Sequence, residues 1–252
     1  MQTYAIGDIH GQYDLMIRAF ELISEDRARD GSADTPVVVL GDLCDRGPKS
    51  AQVIAYLYEA QKRGENIVVI KGNHDRMFAT FLIDPFARDP RLRAELTWLH
   101  PRLGGPKTLE SYGLREPGTR PVNQVHAEAL EAVPLAHRNW HAALPLYYRR
   151  DEALFVHAGI APGVPLEDQS EDDLLWIRSS FLTDPRDHGM LIVHGHTALD
   201  VPTHYGNRLN LDSSAGYGGP VTAAVIEGRD AWLLTPEGRK KMEPQLQAET
   251  TS

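Results

Sequence analysis

The chain has 252 residues, 42% of them hydrophobic and 24% charged, which supplies a sizeable core beneath an ordinary surface. Its net charge of −9 argues against generic nucleic-acid binding, because phosphate backbones repel an acidic surface. The single cysteine, Cys44, excludes an intrachain disulfide and a multi-cysteine metal site and fits a reducing compartment. No apolar run reaches the roughly 18 residues of a membrane span. The opening MQTYAIGDIHG lacks the basic and apolar regions of a signal peptide, so a cytoplasmic location without membrane contact is expected.

The first half alternates short apolar runs with helical patterns. Residues 4–6, 37–40 and 67–70 each end in a glycine-containing loop, the pattern of a buried strand and its C-terminal turn. A helix is expected over 13–29, with Leu15, Ala19, Leu22 and Ile23 on one face. A second starts at Pro48 and stops before Gly64. The order βαβαβ predicts a mostly parallel or mixed sheet with helices packed on it. Residues 85–148 read as an inserted helical cap rich in proline. Strand patterns return at 154–157, 191–194, 208–211, 221–226 and 231–234. No long helices separate the last three, which predicts a second, more antiparallel sheet. Ser170, with acidic residues following, reads as a helix N-cap. Residues 1–236 then form one domain, and the polar tail 237–252 is expected to fray.

Polar residues cluster just beyond the strand ends. They are Asp8 and His10 in GDIHG; Asp42, Asp45 and Arg46 in GDLCDRG; Asn73, His74 and Asp75 in GNHD; His157 in HAG; and His194 and His196 in HGHT. In open α/β sheets ligands bind outside the carboxyl ends of the strands, so five loops would bring these groups to one edge. Carboxylate, amide and imidazole donors without thiolate suit Mn²⁺, Fe or Zn²⁺. Two such cations about 3.5–4 Å apart activate a water and stabilise in-line displacement at phosphorus. Period-2 alternation would point Asp8 and His10 the same way. Singly, each motif has a plainer reading as a turn, a cap or a packed histidine pair; their occurrence together and in order is what carries the chemistry.

Together the five motifs resemble the PPP phosphoprotein phosphatases, whose pattern is GDxHG, GDxVDRG, GNHE and two later histidines. Trp176-x-Arg178 in LLWIRSSF resembles the compact bacterial and phage branch of that family, within the calcineurin-like metallophosphoesterases. The resemblance extends from Ala5 to about Ile226 and implies an α/β fold in which two mixed sheets form a β-sandwich flanked by helices (α/β/β/α). It implies two divalent ions, manganese first, with Asp8 and His10 holding one, Asp42 bridging, and Asn73, His157 and His196 holding the other. Asp45 would orient His74, the proposed general acid, and Arg46 and Arg178 would clamp phosphoryl oxygens. The implied reaction is phosphomonoester hydrolysis, foremost of phosphoserine and phosphothreonine in proteins, by direct attack of a metal-bridging hydroxide.

Several positions depart from the pattern. Asp75 stands where the family has glutamate, and Cys44 where it has valine; the thiol reads as a small buried residue, with a redox-sensitive role as the alternative. The segment often reading DTGA begins Asp212-Ser-Ser-Ala here, and Ala198 removes the longer GHxH pattern of general metallophosphoesterases. His194 is open to two readings, a ligand or a group behind His196. The histidines outside the motifs read as solvated or packing, and Trp98, Trp140 and Trp232 as packing residues. Symmetrical dinucleoside polyphosphate hydrolases of the diadenosine tetraphosphatase kind form the alternative. They share GDxHG and GNHD but typically carry ARG where Asp45, Arg46 and Gly47 stand here. A catalytically dead phosphopeptide-binding module is the third reading, set against a complete ligand set. A phosphoprotein or small phosphoester is the expected partner.

Overall fold

The structure, a computed structural model, describes residues 1–30 and 34–245. β1 (Gln2–Ile6), α1 (Tyr13–Asp30), β2 (Val37–Val39), α2 (Ser50–Lys62) and β3 (Ile67–Val69) form the expected βαβαβ unit, with the three strands parallel. α3 (Asn73–Ile83) follows directly from the GNHD loop. α4 (Gly105–Ser111), α5 (Val122–Ala132) and α6 (Leu135–Ala142) make up the helical part of the insertion. Residues 84–104 form turns, and β4 (Tyr147–Arg150) already begins inside the range expected to be helical. β5 (Ala153–Val156), α7 (Glu171–Trp176), α8 (Ser179–Leu182), β6 (Leu191–His194), β7 (Thr203–His204), β8 (Arg208–Asn210), β9 (Ala223–Glu227), β10 (Asp230–Thr235) and β11 (Gly238–Lys241) complete the chain.

The strands form two mixed sheets, ordered β11-β10-β9-β1-β2-β3 and β4-β5-β6-β8-β7. Period-2 alternation divides their side chains among three apolar layers. Tyr4, Ile6, Val37 and Val39 face α1 and α2, while Ala5, Val38 and Leu40 face the second sheet. There they meet Phe155, Val193 and Leu209. Leu154, Val156 and Ile192 point the other way, against Leu174 and Phe181 of α7 and α8. This is the expected α/β/β/α sandwich. No helix among the described residues is long and apolar enough to cross a membrane.

Three expectations are corrected. β9 and β10 do not join β8 in the second sheet; β9 pairs antiparallel with β1 in the first. β1 is apolar on both faces, and β9 closes an edge that would otherwise expose its unpaired backbone. On α1 the buried stripe is Met16, Ala19 and Ile23, and Leu15 is 38% exposed. At 100° per residue, position 15 falls off the stripe that 16, 19 and 23 share. The polar segment after Pro236 does not fray at once. Gly238–Lys241 forms β11 on the edge of β10, and Arg239 pairs with Asp26 of α1 at 2.7 Å. Residues 246–252 of the expected tail lie outside the described residues.

Candidate active site

All six positions read as metal ligands converge. Asp8 and His10 lie beyond β1, Asp42 beyond β2, Asn73 at the start of α3, His157 beyond β5 and His196 beyond β6, and all are buried. β5, β6 and β8 run parallel, as do β1–β3, so each sheet presents its carboxyl ends to the same pocket. The cavity is about 340 Å³, and Asp42, Asn73, His74, Arg178 and His196 line it. The backbone is specialised here. Among the described residues, six of the eight non-glycine residues at positive φ sit in these loops or in the one after β8: His10, Asp42, Asp45, Arg46, His196 and Ser214. Such conformations cost free energy and persist where surrounding contacts enforce them. His10 at φ 47° also shows that the loop, and not strand alternation, aims it beside Asp8. A β-carbon at Gly195 would overlap Asp8 Oδ1, and one at Gly72 would overlap Asp42 Oδ1, so those two glycines permit the carboxylates to sit where they do.

The donor set fits cations on four observations. First, carboxylates crowd together out of water. Burial, then the charges of Asp212 and Asp42, push the Asp8 carboxyl well above the usual range. Asp212 is raised too, by burial and then by Asp42. Second, His157 Nδ1 donates to the Leu40 carbonyl at 2.9 Å, so the Nε2 of a neutral ring presents a lone pair. Nε2 lies 2.9 Å from Asn73 Oδ1 and 3.3 Å from Asp42 Oδ1, so two oxygen donors and a ring nitrogen converge where a cation would sit. Third, His196 bonds Asn73 Oδ1 through Nδ1 at 2.9 Å, and its buried Nε2 has no hydrogen-bond partner among the described residues. Fourth, His10 donates from Nδ1 to the Cys44 carbonyl, and its Nε2 accepts from the Arg46 guanidinium at 2.5 Å. A cationic side chain stands against the nitrogen that would serve a metal. Burial first, then neighbouring positive charges, holds His10 and His196 well below the usual imidazole range, which keeps their lone pairs available.

The other site residues surround this set. His74 Nδ1 donates to Asp45 Oδ2 at 2.6 Å, and its Nε2 accepts from Arg46 Nη2 at 2.9 Å. Arg178 is exposed at the rim and makes two long contacts, to Thr197 Oγ1 at 3.2 Å and the His196 carbonyl at 3.4 Å. His194 points away from the set: Nδ1 donates to the Gly195 carbonyl, and Nε2 accepts from Arg208 at 3.3 Å. Burial and the nearby Arg208 charge pull His194 down to about 3. Cys44 is fully buried, and burial pushes its thiol up, which suits a packing residue and not a reactive thiol.

Some functional positions escaped sequence reasoning. Asp212, which the family resemblance does not number among the ligands, is buried and lines the pocket. Its place just beyond the 208–211 run was the available signal. Asp75 accepts from the backbone of Gly72 at 2.8 Å and Leu43 at 3.1 Å and from His141 Nε2 at 3.1 Å, tying together the two loops that carry Asp42 and Asn73. His141 is thus buried and bonded, not solvated. Trp98 does more than pack: its Nε1 donates to Asp45 Oδ2 at 2.9 Å. On α7, Asp172 is paired with Arg76 of α3 at 2.8 Å, which ties the helix after the Ser170 cap to the one that carries Asn73.

Two stacked mixed sheets with carboxylate, imidazole and amide donors at their shared edge define a phosphoesterase of the metal-dependent, two-sheet class. The calcineurin-like phosphoesterase family model matches residues 1–228, and the chain belongs to that family. Over 252 aligned residues it is 26% identical to the asymmetrical bis(5'-nucleosyl)-tetraphosphatase of Halalkalibacterium halodurans, covering 88% of this chain and 89% of the relative. It is 28% identical to the symmetrical bis(5'-nucleosyl)-tetraphosphatase of Klebsiella pneumoniae over 83% of this chain, and it spans only 60% of that enzyme's length. Among solved structures, one provisionally assigned as a diadenosine tetraphosphatase superposes with a TM-score of 0.61 at 19% identity, over 97% of this chain and 95% of the other. The cold-active protein-tyrosine phosphatase of a psychrophilic Shewanella superposes with a TM-score of 0.58 at 17% identity, over 96% and 80%. At such identities the structural likenesses speak for the fold alone.

Proposed function

We propose that the chain is a divalent-metal-dependent phosphohydrolase acting on dinucleoside polyphosphates. The carrying observation is Asp42. Its Oδ2 lies 3.4 Å from His10 Nε2 and its Oδ1 lies 3.3 Å from His157 Nε2, so one carboxylate faces both halves of the donor set. Asp8, His10 and Asp42 would hold one cation, and Asp42, Asn73, His157 and His196 the other. Bound there, manganese or a similar ion pair supplies an activated water and offsets charge on the phosphoryl oxygens. The protein's own groups do the rest. Arg46 and Arg178 bind the equatorial oxygens through their planar forks. His74 donates a proton to the departing oxygen, and Asp45 fixes its orientation.

The full-length similarity to a bis(5'-nucleosyl)-tetraphosphatase supports the substrate class. So does the rim: Trp176 lines the pocket, and Tyr217, 68% exposed, lies under the Arg46 guanidinium at 4.6 Å. Flat aromatic faces beside a phosphate site suit a nucleobase, since base–aromatic stacking contributes about 1–3 kcal/mol per base. A second reading, hydrolysis of phosphoserine and phosphothreonine, is favoured by the Asp45–His74 pair. A departing alkoxide needs a proton donor far more than a departing nucleotide phosphate does.

A panel with Mn²⁺ supplied tests both readings. Diadenosine tetraphosphate is compared with phosphoserine and phosphothreonine peptides, and the products are resolved by chromatography. A higher kcat/KM on the dinucleotide is expected. The product pair, ADP twice or ATP with AMP, reports which anhydride bond breaks. Turnover of the peptides alone would overturn the dinucleotide reading in favour of the second.

A further inference from the structure

The inserted segment reaches into the proton-donating pair. Asp45 is fully buried and its carboxylate accepts three hydrogen bonds. His74 Nδ1 and Trp98 Nε1 share Oδ2, at 2.6 and 2.9 Å, and Thr108 Oγ1 donates to Oδ1 at 2.7 Å. The Thr108 hydroxyl also accepts from the Asp45 backbone N–H at 2.8 Å, so one side chain grips both the main chain and the carboxylate of a residue held at φ 71°. Trp98 and Thr108 both belong to the stretch between α3 and β4. Neither lines the pocket. The indole is fixed in turn: it stacks on Phe78 at 5.3 Å, packs on Phe81 at 4.8 Å, and lies against Gly105, where a β-carbon would overlap it.

A carboxylate bonded to one imidazole alone can turn about its terminal torsion, which has broad, shallow wells. Donors on both oxygens remove that freedom. We propose that Trp98 and Thr108 are positioning residues that lock the Asp45 carboxylate, so that His74 keeps Nε2 aimed at the departing oxygen. The helical insertion is then part of the acid apparatus and not only a cap over the pocket. This rests on the reading of His74 as proton donor under the proposed function. It does not depend on whether an anhydride or an ester is the natural substrate.

The test uses the full chain loaded with Mn²⁺. Trp98→Phe keeps an aromatic ring between Phe78 and Phe81 and removes the N–H. Thr108→Val keeps the shape and removes the hydroxyl, and Thr108→Ser restores it. Rates are measured on aryl phosphates of increasing leaving-group basicity and on an alkyl phosphate, with His74→Asn as the reference. General-acid assistance is worth about 10²–10⁴-fold. Trp98→Phe and Thr108→Val should each lose part of it, about tenfold in kcat on the alkyl phosphate and less than about twofold on nitrophenyl phosphate, at unchanged KM and metal content. Thr108→Ser should recover most of the loss. Independently of turnover, the Nδ1 proton of His74, held in a 2.6 Å bond to Asp45 and followed by ¹⁵N-histidine NMR, should shift upfield in both variants.

Equal losses across the leaving-group series, or a His74 resonance that stays in place while the fold is intact by circular dichroism, would overturn the proposal. If His74→Asn itself shows no leaving-group bias, the donor reading falls and the proposal falls with it. If only the dinucleotide is refused, the substrate reading fails, and the monoester series and the resonance still decide the role of Trp98 and Thr108. A variant that does not fold leaves the other hydrogen bond to give the answer.

Discussion

Asn73 Oδ1 lies 2.9 Å from His157 Nε2, while the other ring nitrogen of His157 donates to the Leu40 carbonyl. That bond fixes the ring's orientation and leaves Nε2 as the nitrogen a metal ligand would use. Two divalent ions per chain are therefore expected by metal analysis, and chelation should abolish turnover. Asp42→Asn should cost most, because its two oxygens serve different halves of the set. A fall of more than about 10²-fold is expected, beyond the 10–100-fold typical of groups that only support a ligand. A stoichiometry of one ion with full activity would sink the dinuclear reading.

Asp8 gives a test in the metal-free protein. Burial and then its carboxylate neighbours raise its folded pKa. A raised value means that Asp8 favours folding fully below the unfolded carboxylate pKa of about 4 and that this is lost as pH climbs through the folded value. Above that folded value the ionised Asp8 weakens the metal-free fold. Asp8→Asn should raise Tm in chelator by about 2–4 °C per kcal/mol of repulsion removed. With metal supplied the ranking should reverse, because the variant loses a ligand. Thermal scans with and without Mn²⁺ over a rising pH series read both signs. A lower Tm for Asp8→Asn in chelator would contradict the crowding.

Arg178 holds its fork with only two long bonds, which leaves donors free for substrate oxygens. Arg178→Ala should lower kcat/KM by about 10–100-fold, the worth of one to two charged hydrogen bonds, at unchanged metal content. A kinetically silent variant would make α8 and its preceding arginine structural.

Tyr217 separates nucleotide from simple phosphate substrates. Tyr217→Ala should raise KM for diadenosine tetraphosphate by about 5–100-fold, the equivalent of one stacked base. On a small alkyl phosphate, which has no ring to stack, KM should rise far less. A uniform rise on both would show that Tyr217 acts only by holding Arg46.

A last test lies far from the pocket. Burial alone would raise the Asp26 carboxyl, but hydrogen bonds from Arg239 and Tyr4 outweigh it and hold the group below the usual range. A depressed folded pKa gives stability that is present above the unfolded pKa and lost as pH falls through the folded one. Asp26→Asn should destabilise by about 1.5–3 kcal/mol at pH 7, and the gap to the unaltered protein should close in acid. Denaturant titrations at both pH values measure it. A gap that persisted in acid would mean that packing, and not charge, is lost.

The ligand loops were legible because each is a local event: a short apolar strand, a glycine that lets the chain turn, then a polar donor. Contacts that join distant stretches were not. Trp98 meets Asp45 across 53 residues, and His141 meets Asp75 across 66. Nothing in the spacing of a lone indole or imidazole names such a partner. Short edge strands hid for another reason. β4 and β11 carry Tyr, Arg and Lys and bury little, so they lack the apolar alternation that marks a strand. The sheet assignment of β9 and β10 failed because antiparallel hairpins read alike wherever they dock.

The pairing of β1 with β9 sets a timetable for the chain as it is made. Register joins Tyr4 to Val225 and Ala5 to Ala224, so β1 waits for a strand made long after it. Until residues 223–227 emerge, β1 can pair with β2 on one side only, and its other edge stays open to wrong partners. Such distant pairing slows folding, since a long loop must close before the contact forms. Asp8 and His10 follow this strand directly, so they reach their final places only after β9 has been made and has docked. The donor set at the sheet edge is then assembled only after β9 has joined β1.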